Sequence, residues 1–241
     1  MLLPLEPAMF LYPEHSLVER ILPKNKIYGH AQPNRATRQR FVNEVDQIVW
    51  RYKLAPETIH LPAKAGVEEI QVFDVALKTG ELREDVLRTI DRAIPSLLFF
   101  ELTFQGKVRF CATYKRVSEA DSKQLVVDAY FQTPWQDAAV PRRTLPIALD
   151  LGSLYEQMLR QLMEDSPLAL RARTGETLTD TIERANRIRA KRRERQRLEV
   201  RLKREAQFNR KVEINAALRQ CCTELADLEG TGNPGLGNLG A

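Results

Sequence analysis

Two groups of residues in this sequence are of the types that act on phosphates. The first is Asp74, Lys78, Glu101 and Lys115. Carboxylates on adjacent strands can hold Mg²⁺, and a lysine beside them can stabilise or activate a nucleophile, as a metal-dependent nuclease requires. The usual acid-x-lysine spacing on a second strand is missing, however, and acids are common at the solvent face of a sheet with no catalytic part. The second group is a run of cations: Arg187, Arg189, Lys191, Arg192, Arg193, Arg195 and Arg197. On a helix these side chains encircle the axis, and their mutual repulsion calls for nucleic-acid phosphate or an acidic groove on a partner. The plainer reading is a solvated helix. Only Phe208 interrupts the charge with an aromatic, so specific base readout is not indicated. A third set, Trp50, Tyr52 and Lys53 with Tyr114, Lys115 and Arg116, mixes rings that stack on bases with cations that touch phosphate. Its plainer reading puts Trp50 and Tyr114 in the core and lets Lys53 and Lys115 reach outward at the rim.

Other chemistries find no footing. There is neither a G-x-x-x-x-G-K nor a G-x-G-x-x-G loop, which argues against a nucleotide-driven or dinucleotide enzyme. His15, His30 and His60 stand apart and Cys111 falls in a strand pattern, so no metal cage of soft ligands is expected. The reading therefore assigns no cofactor, no metal and no catalytic residue.

The charge is unevenly spread. The total is +5, but Arg184 to Arg204 holds eleven Lys or Arg against Glu194 and Glu199, or +9, which leaves −4 for the rest. A mildly acidic body with a basic extension fits a polyanion or an acidic partner. No apolar run approaches the roughly 20 residues of a membrane helix. The stretch from Met1 to Leu11 lacks the basic start and cleavage site of a secretory signal. Three cysteines, two of them adjacent at Cys221 and Cys222, suit reduced thiols. A cytoplasmic protein without membrane contact is expected.

The elements that must position these residues follow from pattern. Prolines at 4, 7, 13, 23 and 33 make residues 1–33 an arm with short helical turns. Residues 34–168 read as an α+β domain. Asn34 caps a helix over 35–46, and a strand follows near Ile48, Trp50 and Tyr52. Further strands cover Ile70 to Leu77, Leu97 to Phe104, Val108 to Tyr114 and Leu125 to Phe131, the middle two joined by a hairpin turn at Gln105-Gly106-Lys107. Helices at Leu82 to Ile94 and near Leu151 are placed on one face, giving a two-layer fold with a mostly antiparallel sheet of four to five strands. From Thr177 to Glu229 there is no proline or glycine, so residues 176–229 read as one long basic helix or coiled coil, with residues 230–241 a disordered tail. Ile214, Leu218, Cys221, Leu225 and Leu228 repeat at coiled-coil spacing and offer a homodimer seam.

Pro23-Lys24-Asn25-Lys26-Ile27-Tyr28, Trp50 through Leu61, Val67 through Phe73, Ile90 through Pro95, Tyr114-Lys115-Arg116 and Leu154-Tyr155-Glu156 together resemble an uncharacterised bacterial family, domain of unknown function four-three-nine-one. The resemblance implies no activity. It implies a setting beside helicases and DNA methyltransferases of restriction-like or phage-defence loci, which assigns no role to any residue. The resulting expectation is a non-catalytic accessory subunit that docks on a helicase or methyltransferase and contacts DNA or RNA phosphate through its basic helix. A metal-dependent nuclease and a homo-oligomeric coiled-coil scaffold are the alternatives.

Overall fold

A computed structural model describes residues 9–64, 66–117 and 125–230, apart from the side chains of 116, 117, 125 and 126. The chain divides into two compact units, Met1–Arg171 and Ala172–Ala241.

The first unit is built on a seven-stranded sheet, where four to five strands were expected. Its central strands are β3 (Val45–Leu54), β4 (Ile70–Leu77), β5 (Leu97–Phe104), β6 (Lys107–Val117) and β7 (Leu125–Gln132). The additions are β2 (Leu17–Ile21), paired antiparallel to β3, and the two-residue β8 (Gln136–Asp137), paired to β6. β2 comes from the segment read as an arm. It is an edge strand with mostly exposed side chains, so no apolar alternation announced it. A further short pair joins β1 (Phe10–Leu11) to β9 (Arg143–Thr144) in parallel. All neighbours in the large sheet are antiparallel except β4 and β5, which the helix α4 (Glu84–Ala93) connects. The β5–β6 hairpin turns at Gln105 and Gly106, both at positive φ, as a tight two-residue turn requires.

Helices lie on both faces, which replaces the two layers expected with three. On one face α4, with α1 (Lys24–Ala31) and α2 (Arg35–Glu44), covers a core of Phe41, Ile48, Phe73, Val75, Val86, Ile90, Phe100 and Cys111. On the other, α5 (Leu151–Asp165) contacts β6 and β7, while the four-residue α3 (Pro56–Ile59) directly follows β3. There the rings of Tyr52, Tyr12, Phe10, Phe110, Phe99 and Tyr155 form a chain of neighbours, with centroids 4.6 to 6.5 Å apart. The strands already carried this information. Ile70 and Val72 in β4, and Leu97 and Phe99 in β5, are apolar and buried opposite Phe73, Val75, Leu98 and Phe100. Such continuous apolar runs belong to strands covered on both sides. Each fully buried phenylalanine contributes about 1.5–3 kcal/mol.

The second unit is a helical hairpin. The helix predicted as unbroken stops at Arg204, and α6 (Leu178–Arg204) is followed after three residues by α7 (Phe208–Glu229), which packs along α6. The disordered tail predicted for 230–241 lies outside the described residues, save Gly230, whose positive φ ends α7.

Candidate nucleic-acid interface

The hairpin decides the fate of the cation run. Thr177 opens α6 with a capping box: its hydroxyl accepts from the Asp180 amide at 3.2 Å, and the Asp180 carboxylate accepts from the Thr177 amide at 3.1 Å. At the break, Glu205 leaves the helical conformation and its carboxylate accepts from the amides of Ala206 and Gln207, at 2.9 and 3.0 Å. Good helix formers occupy all three positions, so no local signal marks the break. Its cause is tertiary: α7 folds back along α6 and buries Ile214, Cys221 and Leu225 within the chain, while Ala185 and Ile188 of α6 are buried as well. The seam predicted to join two copies is therefore used inside one chain. Leu218 and Leu228 are half-buried on the same helix.

Folding back also supplies counter-charge. Arg184 holds Glu176 by two bonds of 2.7 Å, and this contact keeps the Glu176 carboxyl low, at about 2. Lys191 meets Glu194 at 2.9 Å and Glu224 at 2.5 Å, and its Nζ is pushed upward as a result. Arg192 reaches Glu229 at 2.6 Å, while Arg187 and Arg195 stand 3.8 and 3.6 Å from Glu183 and Glu199 on their own helix. Arg189 is half-buried. Arg173 donates to the Asp227 and Leu228 carbonyls at 2.6 and 2.9 Å, which satisfies the end of α7. The predicted rod of unbalanced charge is thus largely neutralised at the end where α6 begins and α7 finishes.

It stays unbalanced at the turn. Of the seven predicted cations only Arg193 and Arg197 are exposed without an ion pair among the described residues. Arg201, Lys203 and Arg204, which continue α6, and Arg210 and Lys211 at the start of α7 share that condition. Arg193, Arg197, Arg201 and Arg204 fall at helical spacing on one face. Beside them Phe208 is 78% exposed, and Val200 and Val212 are exposed too. The five additional cations were within reach of sequence reasoning, since acids are sparse around the turn. The turn itself was not.

The other predicted contacts are not brought together. Lys53 pairs with Glu57 at 2.6 Å and Glu69 at 3.4 Å. Trp50 lies against Phe73 on the α4 face, whereas Tyr52 joins Tyr12 on the opposite face. Lys115, read as a surface or rim cation, is fully buried and donates to the Ser96 carbonyl at 2.7 Å. The Arg116 side chain lies outside the described residues. Of the nuclease set, Asp74 and Glu101 do meet as register partners in β4 and β5. Neither lysine joins them: Lys78 donates to the Val42 carbonyl at 2.9 Å, and Lys115 sits on the α4 face.

The family model for a domain of unknown function, DUF4391, matches residues 10–225. The chain belongs to that family. The match takes in the sheet, its helices and nearly all of the hairpin, and so reaches across parts of both units. No curated protein and no solved structure matches the chain. No helix among the described residues is long and apolar enough to cross a membrane.

Proposed function

We propose that this DUF4391 protein is a non-catalytic accessory subunit of a bacterial DNA-processing system, restriction-like or defensive against phage, that grips nucleic-acid phosphate with the turn of its helical hairpin. One observation carries the reading. Seven cations, Arg193, Arg197, Arg201, Lys203, Arg204, Arg210 and Lys211, line the last turns of α6 and the first of α7 with no ion pair among the described residues, next to the exposed ring of Phe208. Concentrating like charge costs free energy that a polyanion recovers by releasing its counterions. The cations toward the end where α6 begins and α7 finishes are spent on carboxylates, so the contact surface is the turn. The docking partner, a helicase or methyltransferase, follows only from the setting that the family resemblance implies.

Anisotropy titrations of a labelled duplex and a labelled single strand over a range of salt test the reading. Affinity should fall with salt at a slope of about −0.9 per neutralised phosphate on duplex DNA, so replacing Arg197, Arg201 and Arg204 by Gln should flatten the slope by about 2.7. Absence of binding to either strand form at low salt, or an unchanged slope in the triple variant, refutes it.

A further inference from the structure

A cavity of about 340 Å³ opens on the α4 face of the sheet, within the first unit and independent of the hairpin. Its floor is the sheet itself. Arg20 of β2 is the register partner of Trp50 of β3, and Trp50 is in turn the partner of Phe73 of β4. Gln71 lies two residues along β4 from Phe73, so all of these side chains come to the same face. The walls are Pro23, which precedes α1, and Ile94, which ends α4. Because α1 begins and α4 stops at this edge of the sheet, the floor between them is left uncovered. Lys26, in the first turn of α1, joins Arg20 at the mouth.

Each part of this lining has its own chemistry. The Trp50 indole uses its one donor on the Tyr52 carbonyl at 3.1 Å, so what it offers a ligand is its ring. Gln71 is 8% exposed and its amide is oriented from behind. The Nε2 donates to the Glu69 carboxylate and, at 3.1 Å, to the Ser96 hydroxyl, which itself donates to Glu69 at 2.5 Å. A carboxylate only accepts, so the amide cannot turn over without losing these bonds. Its Oε1 has no hydrogen bond among the described residues, which leaves one acceptor for whatever fills the cavity. Arg20 and Lys26 are exposed, with neither an ion pair nor a side-chain hydrogen bond among the described residues. Glu69 is met by Lys53 at 3.4 Å, so the mouth is positive.

We propose that this cavity binds a nucleoside monophosphate, with the base against the Trp50 ring, an exocyclic amine donating to Gln71 Oε1, and the phosphate between Arg20 and Lys26. A flat ring, a donor and an anion are what the three parts of the lining accept. Their spacing orders them. β3 lies between β2 and β4, so Arg20 and Gln71 are two strand spacings apart, about 10 Å. The ligand therefore carries its anion at one end and its donor at the other, as a nucleotide does. The volume falls at the lower end of the roughly 300–1,000 Å³ of ligand pockets, which suits a single nucleotide. The acceptor at Gln71 selects adenine or cytosine, which carry an amine, over hypoxanthine or uracil, which carry a carbonyl in its place. A free nucleotide and the 5′ end of a strand present the same groups.

The full chain with Trp135→Phe, which leaves Trp50 as its one tryptophan, is titrated with AMP while indole fluorescence is followed. The expected result is quenching that saturates at one AMP per chain, and calorimetry on the unaltered chain should give the same affinity. IMP, which has a carbonyl where AMP has its amine, should bind about tenfold more weakly or worse. Arg20→Gln combined with Lys26→Gln should weaken AMP by about tenfold or more, and circular dichroism establishes that this variant is folded. A 5′-phosphorylated single strand that begins with adenosine tells the two sources apart. Quenching by this strand as well as by AMP, and not by its 5′-hydroxyl form, assigns the cavity to strand ends; quenching by AMP alone assigns it to the free nucleotide. No binding at millimolar AMP overturns the proposal, as does IMP binding as tightly as AMP, or undiminished AMP affinity in the double variant.

Discussion

Lys115 of β6 places its ammonium 2.8 Å from the carboxylate of Asp91 in α4, and neither side chain reaches solvent. The Tyr130 hydroxyl donates to the same carboxylate, and Lys115 donates further to the carbonyls of Ser96, Ile94 and Asp91 at 2.7 to 3.3 Å. A cation is thereby fixed at the carboxyl end of α4, where the helix presents unpaired carbonyls. This contact ties the connecting helix to β6, one strand beyond the β4–β5 pair that it links.

Removing one partner of this pair strands the other in the core. Lys115→Met should cost about 3–5 kcal/mol in urea unfolding, whereas Lys115→Met combined with Asp91→Leu should cost less than Lys115→Met alone. A single-variant loss below about 1 kcal/mol would show that Asp91 finds water or another donor.

The fates of Lys115 and the cation run mark what a sequence can say here. β4 and β5 were legible to the residue, because dense apolar and β-branched stretches bounded by polar loops leave little choice of ends. That both faces were covered was also written there, in Ile70, Val72, Leu97 and Phe99, whose apolar side chains fall on the face opposite Phe73, Val75, Leu98 and Phe100. Lys115 carries no mark of burial, since its partner Asp91 lies 24 residues away on another element. The break at Glu205 is of the same kind, set by what α7 packs against and not by any helix-breaking residue. Asp74 and Glu101 were legible as types. Their adjacency needed the parallel register, and the contact of Tyr12 with Tyr52 needed the segment read as an arm to enter the fold.

Asp74 gives the stability of the protein a pH signature. Its folded carboxyl, pushed up to about 6 by burial and then by the neighbouring Glu101, lies above the ordinary value of 3.8, so between those values the folded state binds the extra proton. Stability from this group is therefore present at low pH and lost as pH rises from about 4 to about 6, with no further change above. Asp74→Asn should be more stable than wild type at pH 8 by about 1–2 kcal/mol, allowing for solvent screening on the open side, and about equal to it at pH 4. Parallel urea curves with no pH-dependent difference would contradict this.

Glu101 and Arg142, which donates to both carboxylate oxygens at 2.8 Å, are unequal partners. Glu101 is buried, whereas Arg142 keeps a third of its side chain in solvent. Arg142→Ala leaves an enclosed carboxylate uncompensated and releases the Phe10 carbonyl, so it should cost about 3–5 kcal/mol. Glu101→Gln retains a hydrogen-bonding carbonyl toward an arginine that can still reach water, and should cost about 1–2 kcal/mol. Denaturant midpoints in the reverse order would mean that the contact does not hold β1 and β9 to the sheet.

The thiols report on the hairpin directly. Cys222 is exposed on α7, while its neighbour Cys221 is buried in the seam, where its Sγ lies 3.5 Å from the Lys191 carbonyl, and Cys111 is enclosed in β6. Burial raises both the Cys221 and the Cys111 thiol above the ordinary range, which suppresses the reactive thiolate beyond simple shielding. A disulfide reagent should therefore titrate one thiol quickly in the native protein and the other two only on unfolding. Leu225→Asp places a charge in the seam beside Cys221 and should bring a second thiol into the fast phase, with Cys111 still silent. Two fast thiols in the wild type would mean that α7 does not hold Cys221 against α6, and three that Cys111 is not enclosed in the sheet either. Equal labelling of Cys111 and Cys221 in Leu225→Asp would show instead that the two units unfold as one.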